Sequence, residues 1–375
     1  MKAGEKFREI VNNRHEYAQQ WKEETGKKVI GYLCTYVPEE ILYAADLLPV
    51  RIIGSHEPQD VTEPYIFNMY CPFSRDCLAQ GLKGRYDYLD GIITAHSCLH
   101  IRQTFASWVR HIPISYNHYL FMPAHVHSPS AHSCLVGELT RLKNSLEEWT
   151  GKTISEQALD YAIEVYNTNR RLLKKVYELR RSNTPPISGT EAMEMVLAGM
   201  FMDKEEHNRM LEEVLADQPQ PTRLEEPTTR LMLIGSENDD LEFLRLIESL
   251  GADVVVDDHC TGTRYFWNEV IWQEDRLSAI ATRYLNKPPC PLKDLVERHR
   301  FSHILKLARD YNVQGVFLVQ QKFCDPHEFD MAPIESLLKE NHIPTLFLEL
   351  DMTIPAGQFR TRIEAFLELL QLELA

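Results

Sequence analysis

At 375 residues, with 44% apolar and 25% charged residues, the chain is long enough for two or three packed domains of ordinary globular composition. A net charge of −15 excludes a broad nucleic-acid or anionic-membrane surface but leaves room for a local basic pocket. No stretch reaches the roughly 18 apolar residues of a membrane span, and the charged N-terminus lacks the apolar core of a secretory signal.

The elements then follow in chain order. Residues 7–25 read as one amphipathic helix, with Phe7, Ile10, Val11, Tyr17 and Trp21 near helical spacing, broken by Gly26. Residues 28–32 form a buried strand, and Pro38 opens a helical run, ILYAADLL. Further strands are expected at 49–54, 88–94 and 112–116. Strands alternating with helices indicate βαβ units and a mostly parallel sheet. From 131 to 216 long helical patterns dominate, at 132–149, 155–181 and 189–216, with Thr153 and Glu156 spaced as a capping box. QPQPTRLEEPTT at 218–229 is the best linker candidate. A second α/β unit has strands at 230–234, 253–256, 315–319 and 345–348, a helix ending at Gly251 and a closing helix over 359–370. The expected organisation is an N-terminal helical segment (1–27), an α/β domain (28–130), a helical region (131–217) and a second α/β domain (230–375).

With a cytoplasmic setting expected, the eight cysteines should be thiols, metal ligands or redox groups rather than a disulfide framework. Cys71, Cys98 and Cys324 fall after strands or at loop starts, where parallel α/β sheets gather their ligands. Three thiolates there could converge between the two units as soft ligands of an iron–sulfur cluster, although a scattered cysteine is commonly an apolar filler. Cys34 is open to either reading; Cys77 reads as packing, and Cys134, Cys260 and Cys290 are weaker candidates. No CxxC pair supports a thioredoxin-type disulfide or zinc knuckle.

Around these, His96, His100, His259 and His327 are candidates for metal ligation or proton relay, against the commoner role of a hydrogen-bonded loop histidine. Glu39 and Glu40 are candidates for proton transfer, or simply carboxylates at a helix N-terminus. Arg360 and Arg362 could grip phosphates or a ligand carbonyl from the last helix, or form a surface ion-paired face. Gly151-Lys152-Thr153 mimics the end of a P-loop, but the position of its first glycine is Leu146 and no strand precedes it, so nucleotide binding by this chain is not expected. Ser236 has no GxSxG elbow.

Five separated segments carry a resemblance: GYLCTYVPEEILYAADLLPVRI, NMYCPFSRDCLAQGL, DGIITAHSCLHIRQ, QQKFCDPHEFD and GQFRTRIEAF. In this order, over nearly the whole chain, they resemble the 2-hydroxyacyl-CoA dehydratase and benzoyl-CoA reductase family. IGSHEPQDVTEPYIF, RLMLIGSENDD and DDHCTGTRYFWNEV are most similar to small cluster-binding subunits of its ATP-dependent benzoyl-CoA reductase branch.

The resemblance implies two Rossmann-like parallel-sheet domains with a helical insertion. It also implies a [4Fe-4S] cluster held by three cysteines, matched here by Cys71, Cys98 and Cys324, with Cys34 the position to check for a fourth ligand. The implied partners are a homologous larger cluster-binding subunit and two ATPase or activator-type subunits with their own cluster. The implied donor is ferredoxin and the implied substrate benzoyl-CoA, reduced to a cyclic dienoyl-CoA. The dehydratase branch, a radical removal of water from a 2-hydroxyacyl-CoA, is the first alternative. A non-redox acyl-CoA-binding or scaffold protein is the alternative of another class.

Overall fold

Two four-stranded parallel sheets of identical strand order frame the computed structural model, which describes residues 3–57, 61–217, 228–351 and 356–374. The first half contains α1 (Ala3–Asn12), α2 (Arg14–Thr25), β1 (Val29–Tyr32), α3 (Glu39–Ala44), β2 (Leu48–Arg51), α4 (Pro72–Leu82), β3 (Gly91–Ala95), α5 (Leu99–His111) and β4 (Tyr116–Leu120). Four long helices follow: α6 (Ala131–Thr150), α7 (Glu156–Leu179), α8 (Gly189–Ala198) and α9 (Lys204–Ala216). The second half contains β5 (Thr229–Gly235), α10 (Leu241–Ser249), β6 (Ala252–Asp258), α11 (Thr263–Phe266) and α12 (Arg276–Asn286). A 3-10 turn (Pro291–Lys293), α13 (Arg300–Asp310), β7 (Gly315–Gln321), α14 (Asp325–Glu340), β8 (Thr345–Leu350) and α15 (Ala356–Leu374) complete it.

The sheets run β2-β1-β3-β4 and β6-β5-β7-β8, every pair parallel. This bears out the expected α/β class with two Rossmann-like sheets. Successive side chains of a strand face opposite ways, and the core divides accordingly. Val29 and Ile92 join the larger apolar cluster that spans both halves; Ile30, Tyr32 and Ile93 face a smaller one built with α3, α6 and α12. Of the N-terminal helices, α1 packs on α8 and α9.

Several local expectations are corrected. The strand expected at 112–116 begins only at Tyr116: the Ile112 amide still bonds Trp108 O at the end of α5 (2.8 Å), and register with β3 starts at the Gly91–Tyr116 pair. Residues 7–25 form two helices, interrupted at Asn13. The run 189–216 is likewise two, because Asp203 caps a new helix through the Glu205 and Glu206 amides (3.0 and 3.2 Å). The helix after Pro38 stops at Ala44, where Asp46 at φ 64° turns the chain and Leu48 enters β2. Ser155, not Thr153, caps α7 through the Ala158 amide (3.1 Å). Most of the expected linker, residues 218–227, lies outside the described residues.

Candidate functional site

The chemistry gathers at the carboxyl ends of the strands. Cys71, Cys98 and Cys324 are each the N-cap residue of a helix, α4, α5 and α14 respectively. Cys98 lies three residues beyond β3 and Cys324 three beyond β7; Cys71 ends the long loop after β2. Helix N-termini present unpaired amides and partial positive charge, which favour a thiolate. The Cys98 sulfur accepts from the Ile101 amide (3.5 Å), and the Cys71 sulfur contacts Ser74 Oγ (3.2 Å).

His100 stands among the three cysteine loops. It sits two residues after Cys98, its Nδ1 accepts the Cys71 amide hydrogen bond (3.1 Å), and its Nε2 faces Asp325, beside Cys324, at 3.8 Å. Since Nδ1 accepts, the neutral ring carries its proton on Nε2 and turns it toward that carboxylate. Burial lowers the His100 pKa, against a raising influence from Asp325. Burial pushes all three thiols up, and mutual repulsion adds to this: Cys71 on Cys98, and both on Cys324. Three thiols close enough to repel one another would gain from a shared cation that holds them deprotonated.

Three further cysteines reach the same region. Cys34 follows β1, Cys260 follows β6, and Cys290 precedes the 3-10 turn. The Cys290 amide donates to Tyr36 Oη (3.1 Å) and Lys287 Nζ donates to Thr35 O (3.0 Å), fastening the Cys290 segment to the loop of Cys34. Cys290 bears electrostatically on both Cys98 and Cys324, and on Cys98 its influence exceeds that of Cys34. Sequence reasoning missed this, because a cysteine between prolines carries no periodic or strand-end signal. Cys77, 0% exposed, is packing, with its thiol toward Ile52 O (3.6 Å); Cys134 is exposed on α6.

Buried cations lie beside Cys34, Cys260 and Cys290. Arg51, Arg264 and Arg300 are each at most 2% exposed, and the Nε and Nη1 donors of all three lack hydrogen-bond acceptors. Burial lowers the Arg264 pKa, but Cys260, Asp258 and Cys290 outweigh it, so the guanidinium stays charged beside those thiols. Arg51 forms an ion pair with Glu237, joining β2 of one sheet to the loop after β5 of the other. Burial lowers Lys287 to about 7 and Lys293 to about 8, while Cys34 opposes both shifts. Buried polar atoms without partners are uncommon in native interiors. Asp258 faces Arg264 Nε (3.7 Å) and Arg300 Nε (3.5 Å), and Asp330 pairs with Arg300 (2.9 Å), which leaves the Nη1 donors of Arg51, Arg264 and Arg300 without an acceptor. Thiols with such donors in the same buried region have the chemistry to fit an anionic sulfur-rich group such as an iron–sulfur cluster.

The other candidates separate. His96 is half-buried against Tyr119, with its pKa lowered by burial, then by Lys293 and Arg102. His259 and His327 are buried behind the thiols, where burial lowers both. Glu39 lies under Tyr265 Oη (3.0 Å), Tyr166 Oη (3.4 Å) and Lys204 (3.9 Å), and burial raises its pKa. Glu40 pairs with Arg170 and Tyr284. Arg360 and Arg362 are exposed on α15, engaged with Glu364 (3.0 Å) and Phe347 O (2.6 Å). Gly151 is a left-handed C-cap of α6 (φ 69°), which explains the P-loop mimic as a helix end.

Comparison with known proteins identifies the family. The family model described as "2-hydroxyglutaryl-CoA dehydratase, D-component" matches residues 34–370. A benzoyl-CoA reductase subunit of Thauera aromatica is 29% identical over 334 residues, covering 87% of this chain and 86% of that protein. The "(R)-phenyllactyl-CoA dehydratase beta subunit" of Clostridium sporogenes is 26% identical over 375 residues, covering 97% of each. The beta subunit of (R)-2-hydroxyglutaryl-CoA dehydratase of Acidaminococcus fermentans is 27% identical over 353 residues, covering 92% of each. The chain belongs to the 2-hydroxyglutaryl-CoA dehydratase D-component family.

Proposed function

We propose that this family member is an iron–sulfur subunit of an ATP-dependent, ferredoxin-linked benzoyl-CoA reductase, with Cys71, Cys98 and Cys324 as ligands of one [4Fe-4S] cluster. The observation that supports this reading is the placement of His100, which follows Cys98, accepts from the Cys71 amide (3.1 Å) and faces Asp325 beside Cys324 (3.8 Å). When bound, such a cluster supplies single electrons at low potential, set by net charge, hydrogen bonds to sulfur and solvent exposure. This chain's own share is then electrostatic. Arg51, Arg264 and Arg300, held by Glu237, Asp258 and Asp330, each keep an Nη1 donor without an acceptor, and burial excludes water. Cys34 remains a candidate for a fourth ligand, and Cys290 joins it, since it bears on both Cys98 and Cys324.

Substrate would be benzoyl-CoA, its ring reduced to a cyclic dienoyl-CoA. ATP hydrolysis falls to separate activator-type subunits with their own cluster, consistent with the helix-end role of Gly151. A homologous larger subunit would dock at the thiol mouth. Phe67, Met69, Leu99 and Phe323, each next to or within four residues of a proposed ligand, are exposed by 73, 68, 49 and 37%. His96, His100 and Glu39 remain proton-transfer candidates, and Arg360 and Arg362 candidates for gripping CoA phosphates. A cytoplasmic location is part of this proposal; no described helix is long and apolar enough to cross a membrane.

Identities of 26 and 27% to two dehydratase beta subunits sustain a second reading, radical dehydration of a 2-hydroxyacyl-CoA. Assaying the anaerobically purified complex with benzoyl-CoA and with 2-hydroxyacyl-CoA esters separates the two. Substoichiometric iron and sulfide after reconstitution would sink both and leave a non-redox acyl-CoA binder.

A further inference from the structure

Beyond the thiols, one cluster of side chains is arranged as a set of metal donors. His127 lies in the loop after β4, Asp294 just after the 3-10 turn and His299 at the start of α13. One ligand atom from each lies within 4.8 Å of the others. Asp294 Oδ1 is 3.7 Å from His127 Nε2 and 3.2 Å from His299 Nδ1. Donors at about 2.0–2.1 Å from a tetrahedral zinc ion are separated by roughly 3.3 Å, so small side-chain adjustments would complete the geometry. The two imidazole rings sit 4.0 Å apart, centroid to centroid.

The carboxylate is already oriented. Asp294 is 3% exposed, and its other oxygen, Oδ2, accepts the Arg300 amide hydrogen bond (3.1 Å), leaving Oδ1 toward the two rings. Hydrogen bonding that fixes a carboxylate ligand in this way is the usual second layer of a metal site. His127 and His299 keep 34 and 55% of their side chains exposed, so the site has an entry path and room for a water ligand. Lys293 clamps the same two segments by donating to Met122 O (3.2 Å) and Pro123 O (2.8 Å).

We propose that His127, Asp294 and His299 bind one divalent ion of the zinc class, clasping the loop after β4 to the segment that carries Cys290. Two imidazoles and a carboxylate suit Zn2+ and its substitute Co2+, without help from sulfur. The ion fastens the rim of the thiol region from outside and takes no electron.

The test is Co2+ and Zn2+ titration of the full chain under anaerobic conditions, beside His127→Ala, His299→Ala and the double variant. Expected is one equivalent of Co2+ with d–d absorption and no added sulfur-to-metal charge transfer, displaced by Zn2+. Each single variant should bind at least tenfold more weakly, and the double variant should lose the equivalent. Iron and sulfide content should stay the same in all four proteins, which separates failure here from failure of the cluster assignment. Equal binding by the double variant, no binding by the parent chain, or charge-transfer bands showing the ion on cysteines would each overturn the proposal.

Discussion

The Cys71 amide donates to His100 Nδ1 at 3.1 Å, so a residue of α5 holds the cap of α4. His100→Ala leaves that buried amide without an acceptor, a loss of about 1–3 kcal/mol. The variant is expected to unfold at a lower denaturant midpoint and to release iron faster to a chelator. Iron retention equal to the parent would remove His100 from any role in holding the cysteine loops.

Replacing Cys71, Cys98 or Cys324 by Ser is expected to reduce iron and sulfide to a small fraction of the parent's. Cys77→Ser and Cys134→Ser should retain the full content, since one thiol is packed toward Ile52 O and the other is exposed on α6. Full retention after any of the first three substitutions strikes that residue from the ligand set.

Cys290→Ser is expected to change the reduction potential and electron-spin spectrum of the bound cluster more than Cys34→Ser does. The reason is that Cys290 bears on both Cys98 and Cys324. A larger effect from Cys34 reverses the ranking; redox titration monitored by spin resonance reads it.

His56 gives a pH dependence. Burial lowers its pKa, but the Asp239 carboxylate at 3.0 Å, with Asp240 and Asp76, outweighs this and raises it to about 9 from 6.5. The folded value exceeds the unfolded one, so the stabilisation is complete below about pH 6.5 and fades as pH rises through about 9. Its ceiling is about 3 kcal/mol, reduced because 33% of the side chain meets solvent. Denaturation midpoints of His56→Ala should accordingly fall less between pH 6.5 and 9.5 than those of the parent.

Lys204, buried against Glu39 at 3.9 Å, is lowered by burial to about 8, with Glu39 holding it up. Lys204→Met strands a buried carboxylate and is expected to cost about 3–5 kcal/mol. Adding Glu39→Gln should restore part of that loss. An additive double variant, measured by chemical denaturation, would show that the two charges are not coupled.

The α/β class and most of the strands were legible in the sequence, because β1, β5 and β7 each contain an apolar run and are buried throughout. What failed was decided by neighbours rather than local pattern. The strand expected at 112–116 yielded to the end of α5, and the helical run through Gly199 was divided by the cap at Asp203. At the candidate site, Cys71, Cys98 and Cys324 could be singled out from strand-end position and motif. The closeness of Cys290 to Cys98, and of Asp294 to His127, is a relation between segments far apart in sequence, and no local spacing encodes it.

All three proposed ligands, the His100 among their loops and the buried guanidinium groups belong to one polypeptide. On that arrangement, loading with iron and sulfur need not wait for another subunit. The chain could be charged first and joined afterwards, with its exposed apolar rim covered only at the later step. The order of biogenesis would thus follow from which chain owns the ligands.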